Sequence, residues 1–314
     1  MKKFIFTFFS LIFAISIIYA DIDVVEKYDD SANVSAKYLN LKAGAQGAGM
    51  GNAYIGMANN AISIFWNPAG LANMLKTSGD WNFFINHNIW IMDMMADNIA
   101  IAKKFEKIGV FGLAISYFNA GQIEKYDIDN NNKYVERGNF SPYSLIGTLS
   151  YSNKMDKDID YGINLKYILD NIDNSILYTF AFDIGVRYFS PIKNLLFNIV
   201  AKNFGGRLSE FILSKELSFA VVYSFAINDF LLSTEADICG IVNNYPIYNF
   251  GIEVKTPSIL VLRAGYHTTN SFADGFKEIS FGIGIEMEEK NVDISFEPYG
   301  EFGNSLQISI SGSF

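Results

Sequence analysis

The sequence predicts an all-β protein: a transmembrane antiparallel β-barrel of about 14 strands, with an N-terminal plug. Three observations lead to this fold. Apolar residues recur at every second position over most of the chain. No internal apolar run reaches the ~18–20 residues that a membrane-spanning helix needs. The N-terminus has the pattern of an export signal. Half of the 314 residues are hydrophobic and only 18% are charged, which is below the roughly 25% of soluble domains.

The period of two, which is typical of strands, begins near residue 80. One run alternates apolar residues with polar or small ones: Ile279, Phe281, Ile283 and Ile285 against Ser280, Gly282, Gly284 and Glu286. Fourteen strands are predicted in this way, at 80–90, 96–104, 108–118, 141–153, 158–169, 175–188, 194–203, 215–226, 229–238, 246–255, 258–267, 277–287, 291–298 and 304–314. Most have about ten residues, which is enough to cross a bilayer when the strand is tilted.

The two faces of these strands favour a closed barrel over a soluble β-sandwich. One face is almost wholly apolar, whereas the outer face of a sandwich should be rich in polar residues. Lipid leaves backbone groups at an open sheet edge unpaired, so the sheet has to close. Short and longer links alternate, and the longest loop, Asn119–Asn139, is rich in Asn, Asp and Tyr. Ten charged residues fall on the inner face, where they either brace the lumen or guard a path: Lys166, Asp183, Arg187, Glu235, Asp237, Glu253, Lys255, Arg263, Asp293 and Glu297.

The N-terminus predicts export. Lys2 and Lys3 precede an apolar run, and Ala20 supplies the small residue at a cleavage site. Cleavage after Ala20 removes two of the 24 basic residues and none of the 33 acidic ones, so the net charge falls from −9 to −11. Nucleic acid is therefore not an expected partner, because phosphate contacts need clustered Lys and Arg. The predicted domains are a signal peptide (1–20), an N-terminal arm and plug (21–79) and the barrel (80–314).

Residues 43–72, called the internal segment below, break the strand pattern. Gly44, Gly47, Gly49 and Gly51 are closely spaced, but Gly-x-Gly-x-x-Gly is absent, which argues against a phosphate loop. Glycine allows close approach to another surface, and Asn67-Pro68 favours a turn. The segment suits a plug inside the lumen; an arm packed under the barrel is the alternative.

Two motifs in this segment resemble the N-terminal hatch of the FadL-like outer-membrane transporters, which include a PorV/PorQ-like branch. The first is Gln46-Gly47-Ala48-Gly49-Met50-Gly51-Asn52-Ala53, and the second is Asn67-Pro68-Ala69-Gly70-Leu71. The second motif matches the family pattern throughout. The first has Gln46 where the family commonly has Arg, so a role of that Arg in the plug does not carry over directly.

The resemblance implies a plugged barrel of fourteen strands through which hydrophobic, fatty-acid-like compounds cross the outer membrane by passive diffusion. The implied site for plug and ligand exit consists of Asn67, Pro68, Ala69, Gly49, Gly51, Phe65 and Trp66. The implied partners are outer-membrane lipid and hydrophobic small molecules. In the PorV-like branch the barrel instead serves a protein secretion or envelope complex. A purely structural surface protein is the third hypothesis.

The sequence gives little support to catalysis, and neither a cofactor nor a metal is expected. His87 and His267 are the only histidines, and no Ser or Asp is spaced to form a triad with them. The single cysteine, Cys239, is expected to be buried and inert. The stretch from Asp127 to Asn132 lacks the Gly and Glu of an EF-hand loop, so a solvated external loop is expected there rather than a calcium site.

Overall fold

The computed structural model describes residues 34–240, 246–268 and 278–314. The predicted signal peptide lies outside these residues. The residues from Ser35 to Phe314 form one compact unit. Among the described residues, no helix is long and apolar enough to cross a membrane.

Nineteen strands occur in the described part of the chain. They are β1 (Val34–Ser35), β2 (Trp81–Ile89), β3 (Met95–Phe105), β4 (Gly109–Asn119), β5 (Ile123–Ile128), β6 (Tyr134–Phe140), β7 (Tyr143–Lys154), β8 (Ile159–Ile172), β9 (Ser175–Phe189), β10 (Leu195–Gly205), β11 (Arg207–Leu208), β12 (Phe211–Leu213), β13 (Glu216–Ile227), β14 (Phe230–Cys239), β15 (Ile247–Lys255), β16 (Leu260–His267), β17 (Ile279–Met287), β18 (Lys290–Pro298) and β19 (Asn304–Ser313). Fourteen of them close into one barrel.

The barrel follows the chain from β2 to β19, leaving out the hairpins β5–β6 and β11–β12. All its pairs are antiparallel, and it closes where β19 pairs with β2. The amides of Trp81 and Phe314 bond reciprocally to each other's carbonyls at 3.0 Å. We call this end of the barrel, where β2 begins and β19 ends, the terminal end, and the opposite end the loop end. The prediction of fourteen strands is confirmed.

The predicted facing of the strands is confirmed too. In β17, Ile283 and Ile285 are exposed on the outer wall, while the neighbouring Gly284 is buried inside. This pattern of exposed Ile, Leu and Phe continues around the barrel and gives an apolar outer surface. A lipid-facing wall requires such a surface, because lipid cannot solvate polar groups.

The long Asn119–Asn139 stretch, predicted as a loop, contains the hairpin β5–β6. Its residues are exposed on both faces, so burial imposes no alternation that would mark the strands. Asp129 forms the turn by accepting bonds from the amides of Asn131 and Lys133 at 2.8 and 2.9 Å. These bonds support the prediction of an external turn there.

The internal segment lies within the barrel and has little regular structure. It contains two one-turn α-helices, α1 (Ala45–Ala48) and α2 (Ser63–Trp66), and the start of a 3₁₀ helix, Pro68–Lys76. Further 3₁₀ turns are Lys37–Asn40, Asn60–Ile62, Ile91–Asp93 and Gly300–Phe302. Most side chains of the segment are fully buried against wall residues such as Phe84 and Val110. The main apolar core is therefore formed between segment and wall.

Candidate functional site

The backbone of the internal segment bonds to side chains of the polar wall. The amides of Gly56 and Met57 donate to the two carboxylate oxygens of Glu235, at 2.6 and 2.9 Å. The Ala45 amide donates to Ser309 at 2.8 Å, and the Ala61 amide donates to Asn82 at 2.9 Å. Buried amides need partners, and this segment has too little helix to supply its own. The polar inner face of the strands supplies them.

The two predicted glycines, Gly49 and Gly51, are seated against glycines of the wall. A methyl group added to Gly49 would come within 2.8 Å of the Gly282 Cα. A methyl group added to Gly265 would overlap the backbone between Met50 and Gly51. The Gly51 amide also donates to Ser280 Oγ at 2.7 Å. At this glycine seat the backbone of the internal segment touches the backbone of the wall. Side chains on either surface would prevent such a close approach.

The Asn67-Pro68-Ala69 turn has a second glycine seat, on β8 and β9. Gly162 and Gly185 are paired across these strands. A methyl group on Gly162 would overlap the Pro68 carbonyl carbon, and one on Gly185 would overlap Asn67 Oδ1. Within the turn, Asn67 Oδ1 accepts a bond from the Ala69 amide at 3.1 Å. The wall beside the turn is a continuous ladder from Ile159 to Ile172.

The two predicted aromatic residues lie in different environments. Trp66 is fully buried, and its Nε1 donates to the Ala43 carbonyl at 2.7 Å. Its ring meets Tyr54 edge-on at 5.6 Å. Phe65 is only partly buried and packs on Phe84 at 5.7 Å. Trp66 therefore holds the two halves of the segment together, whereas Phe65 keeps part of its ring accessible.

Gln46, which stands where the FadL-like pattern commonly has Arg, joins a charged cluster inside the barrel. Its side-chain amide donates to Asp293 at 2.5 Å. Arg263 bonds to Glu253 at 2.7 Å and to Asp293 at 2.6 Å. This wall Arg supplies the positive charge between the two carboxylates. Three of the ten charges predicted for the inner face thus pair with one another inside the barrel. Lys255, in contrast, is half-exposed and pairs with Glu286.

A second charged cluster, which was not predicted, contains three lysines and two carboxylates. Lys42 and Lys202 lie 3.0 and 2.9 Å from the Glu216 carboxylate. Lys166 lies 2.8 Å from Asp183. Burial opposes protonation of Lys42, but its neighbours, Glu216 foremost among them, together more than offset this, so the pKa of Lys42 is raised. The cluster thus brings three amino groups to two carboxylates in a largely buried place.

The wall is irregular beside this cluster. The β9–β10 pairing shifts register between Ala201 and Phe204, which leaves Lys202 and Asn203 in a bulge. Outside the bulge is a hollow of about 430 Å³, lined by Leu165, Tyr178, Thr179, Phe180, Ala181, Phe182, Gly205 and Gly206. Inside is an apolar cluster in which Ala181 packs with Ile146, Ile168, Leu208 and Leu213. Ala181 lines the outer hollow and also packs in the inner cluster, so only a thin part of the wall separates the hollow from the cluster. This feature was missed because a bulge has no clear signature in an alternating pattern.

The histidines and the cysteine form no site of their own in the described part of the chain. Among the residues that the structure describes, no group of three or more His, Cys, Asp and Glu is placed to hold a metal ion. His87 lies on the outer wall and His267 is buried inside. Cys239 is a buried free thiol, as predicted. The arrangement is that of a packed barrel interior with an irregular wall.

Solved structures share this fold. The toluene transporter TodX of P. putida has a TM-score of 0.57 at 10% identity, covering 88% of this chain and 99% of its own. The monoaromatic hydrocarbon channel CymD has a TM-score of 0.58 at 13% identity, covering 87% and 97%. A Pseudomonas aeruginosa FadL homologue has a TM-score of 0.53 at 11% identity, covering 87% and 98%.

Sequence comparisons add no relative. No family model matches this chain. No curated protein matches it either. At such low identity, the structural likeness concerns the fold.

Proposed function

We propose that this chain is a FadL-like outer-membrane channel, exported with cleavage of its signal peptide, through which hydrophobic compounds of fatty-acid type diffuse passively. The observation that carries the proposal is the meeting of an inner apolar cluster, a wall bulge and an outer hollow at Ala181. The neighbours described as hydrocarbon channels and toluene transporters support the substrate class.

The proposed route enters at the loop end and leaves sideways through the wall. Tyr38 and Leu39 pack on the inner apolar cluster together with the hairpin residues Leu208 and Leu213. A hydrophobic solute replaces these contacts without leaving apolar surroundings, so no large desolvation cost arises. Past Ala181 it reaches the outer hollow between Phe180 and Phe182, and then the lipid.

The lysine cluster suits an acidic head group. Lys42, Lys166 and Lys202 face two carboxylates, so the cluster holds one more amino group than carboxylates with which to bind an acidic head group. Lys42 and Lys166 keep 15% and 12% of their side chains exposed, which leaves them accessible. A fatty-acid carboxylate at this cluster would place the chain toward Ile168 and Ala181. An uncharged hydrocarbon would gain no such electrostatic stabilisation from the lysines.

The proposed gate is the Asn67-Pro68-Ala69 turn, and the helix α2 that leads into it is linked to the bulge by hydrogen bonds. Asn164 donates to the Ile64 carbonyl at 2.9 Å and to Asp183 at 2.8 Å. Asp183 in turn accepts a bond from the Asn203 amide at 2.9 Å. A shift of the turn therefore acts on the bulge through Asn164 and Asp183. Gly49 and Gly51 anchor the other side of the segment, while Phe65 offers its accessible ring to the solute.

Uptake into proteoliposomes tests the route. Ala181→Leu fills the thin part of the wall and should lower uptake of a labelled fatty acid severalfold. Ala96→Leu is the matched control, because Ala96 is also a buried, inward-facing alanine of a barrel strand but belongs to neither apolar cluster; uptake should remain unchanged. The gel shift on heating verifies that each variant is folded. Equal uptake by the two variants would contradict a route at Ala181.

The head-group proposal and the gate proposal have separate tests. Wild-type protein should take up a fatty acid faster than its methyl ester, because the ester has no charge for the lysines. Asn67→Ala, Pro68→Ala and deletion of 43–72 should alter uptake, and the deletion should leave a folded but leakier barrel. If all three variants fold and match wild type, the transport proposal fails, and a role as secretion partner or surface protein takes its place.

A further inference from the structure

A hydrogen-bonded His–Asp pair lies among apolar residues on the described part of the outer wall. His87 on β2 and Asp97 on β3 are register partners, and His87 Nδ1 lies 2.6 Å from Asp97 Oδ1. Their side chains are 46% and 45% exposed, so both face outward. Two ionisable groups thus lie on the surface that meets lipid.

The neighbours of the pair are aliphatic residues on three sides and a tyrosine on the fourth. Toward the terminal end lie Ile85 and Ile99, and toward the loop end lie Ile89 and Met95, all of them exposed. On the adjacent strand β19, Ile308 is the register partner of His87. On the other side, Tyr117 of β4 is the partner of Asp97. Exposed apolar side chains therefore continue beyond the pair, and the pair does not mark the edge of the apolar band.

The height of the pair leads to the same conclusion. His87 is six residues from Trp81, which corresponds to about 15 Å at a strand rise of ~3.3 Å and a tilt of ~40°. Trp81 lies at the terminal end, stacked on Phe314 and covered by the Lys103 ammonium at 4.6 Å from its ring. If this level marks one interface, the pair lies inside an apolar band about 25 Å tall. Charged groups in that band are unfavourable and usually face a partner.

The geometry points to a second copy of this chain as that partner, bound through the β2–β3 face. In one membrane, two copies in the same orientation are related by a two-fold axis along the membrane normal. With the axis between β2 and β3, His87 of each copy faces Asp97 of the other. Imidazole and carboxylate groups then alternate around the axis, so the surface is its own complement. A headgroup phosphate would instead meet the Asp97 carboxylate.

Residues near the pair suit such a contact. Met92 in the β2–β3 turn is 68% exposed and Met95 is 39% exposed. Methionine side chains adapt to an opposing surface. Ile85, Ile99 and Ile308 provide an aliphatic face around the pair. The contact would shield the His–Asp pairs from lipid while burying these side chains.

Cross-linking of the full-length protein in mild detergent and in lipid nanodiscs tests the proposal. Ile85→Cys with a short bis-maleimide should give a covalent dimer, because Ile85 lies close to the proposed axis. Val221→Cys on β13, seven strands away around the ring, is the control and should stay monomeric. Cys239 is buried, and wild type reports any background from it.

Removing or exchanging the charges tests the role of the pair. The double variant His87→Leu/Asp97→Leu should weaken the dimerisation constant about tenfold, the order expected for a polar contact in lipid. The exchange His87→Asp/Asp97→His should retain the dimer. The proposal would be overturned if the wild-type protein is monomeric and Ile85→Cys gives no cross-linked product. It would also be overturned if the leucine variant dimerises as strongly as wild type. Two other results would also overturn it: cross-linking of Ile85→Cys to a different protein, or purification of a monomer with bound lipopolysaccharide.

Discussion

Replacing Gly265 with alanine should loosen the internal segment while leaving the barrel closed. Gly265 lies on β16 and faces the backbone between Met50 and Gly51. Its added methyl group would overlap Met50 C and Gly51 N. Both obstructing atoms are backbone, so no side-chain rotation relieves the overlap. The segment has to move away from the wall at this seat.

The expected loss of stability combines two effects. Overpacking a close contact costs about 1–3 kcal/mol. Moving Gly51 also weakens its 2.7 Å bond to Ser280 Oγ, and a typical hydrogen bond contributes about 1 kcal/mol. We therefore expect a destabilisation of about 2–4 kcal/mol. The ladder between β15 and β16 should persist, because the substituted residue keeps its backbone groups.

Urea unfolding in detergent micelles, followed by tryptophan fluorescence, measures this effect. Trp66 lies in the segment and is fully buried, so its emission should shift to the red when the segment loosens. Gly147→Ala is the matched control, because nothing lies within 4 Å of a methyl group there. It should be neutral or stabilise slightly. If Gly265→Ala is as stable as Gly147→Ala and its emission is unshifted, the glycine seat is not a tight contact.

Three further changes test other parts of the structure. Ile283→Arg on the outer wall should cost about 2–4 kcal/mol if it lies near mid-bilayer, and folding into vesicles measures this; a harmless Arg would place the residue elsewhere. Asn198→Leu should stabilise the folded protein by about 1–3 kcal/mol, because both side-chain polar atoms of Asn198 are buried without a hydrogen-bond partner. A lower urea midpoint would contradict this. Asn67→Ala removes the cap on the Ala69 amide and should cost about 0.5–2 kcal/mol, seen as a lower midpoint; an unchanged midpoint would mean that water replaces the cap.

The alternation of residue types predicted the barrel well. Every predicted strand corresponds to a barrel strand whose ends differ by no more than three residues. The reason is that each barrel strand has one face on lipid and one on the packed interior, so both faces constrain composition. The hairpin β5–β6 was missed because neither face is buried. Secondary structure without burial leaves little trace in the order of polar and apolar residues.

The candidate site was less predictable because it depends on register. Glycines such as Gly162 and Gly185 stood on the inner face of the predicted strands. Only the pairing of β8 with β9 places them side by side under Asn67 and Pro68. Likewise, Lys42, Lys202 and Glu216 are distant in sequence and meet only because β10 pairs with β13.

Segment and wall each supply what the other lacks. The segment has amides without internal partners, and wall residues such as Glu235 and Ser309 accept bonds from them. The wall has glycines at which close backbone approach is possible, and the segment occupies them with its own glycines and its Pro68 turn. A segment with the same composition but with its residues shifted along the wall would lose both the hydrogen bonds and the glycine contacts. The segment is therefore expected to move as a whole or in its two glycine-seated parts, and the Asn164–Asp183 bonds tie the second part to the wall bulge. These bonds thus connect α2, which directly precedes the Asn67 turn, to the wall bulge beside the proposed route at Ala181.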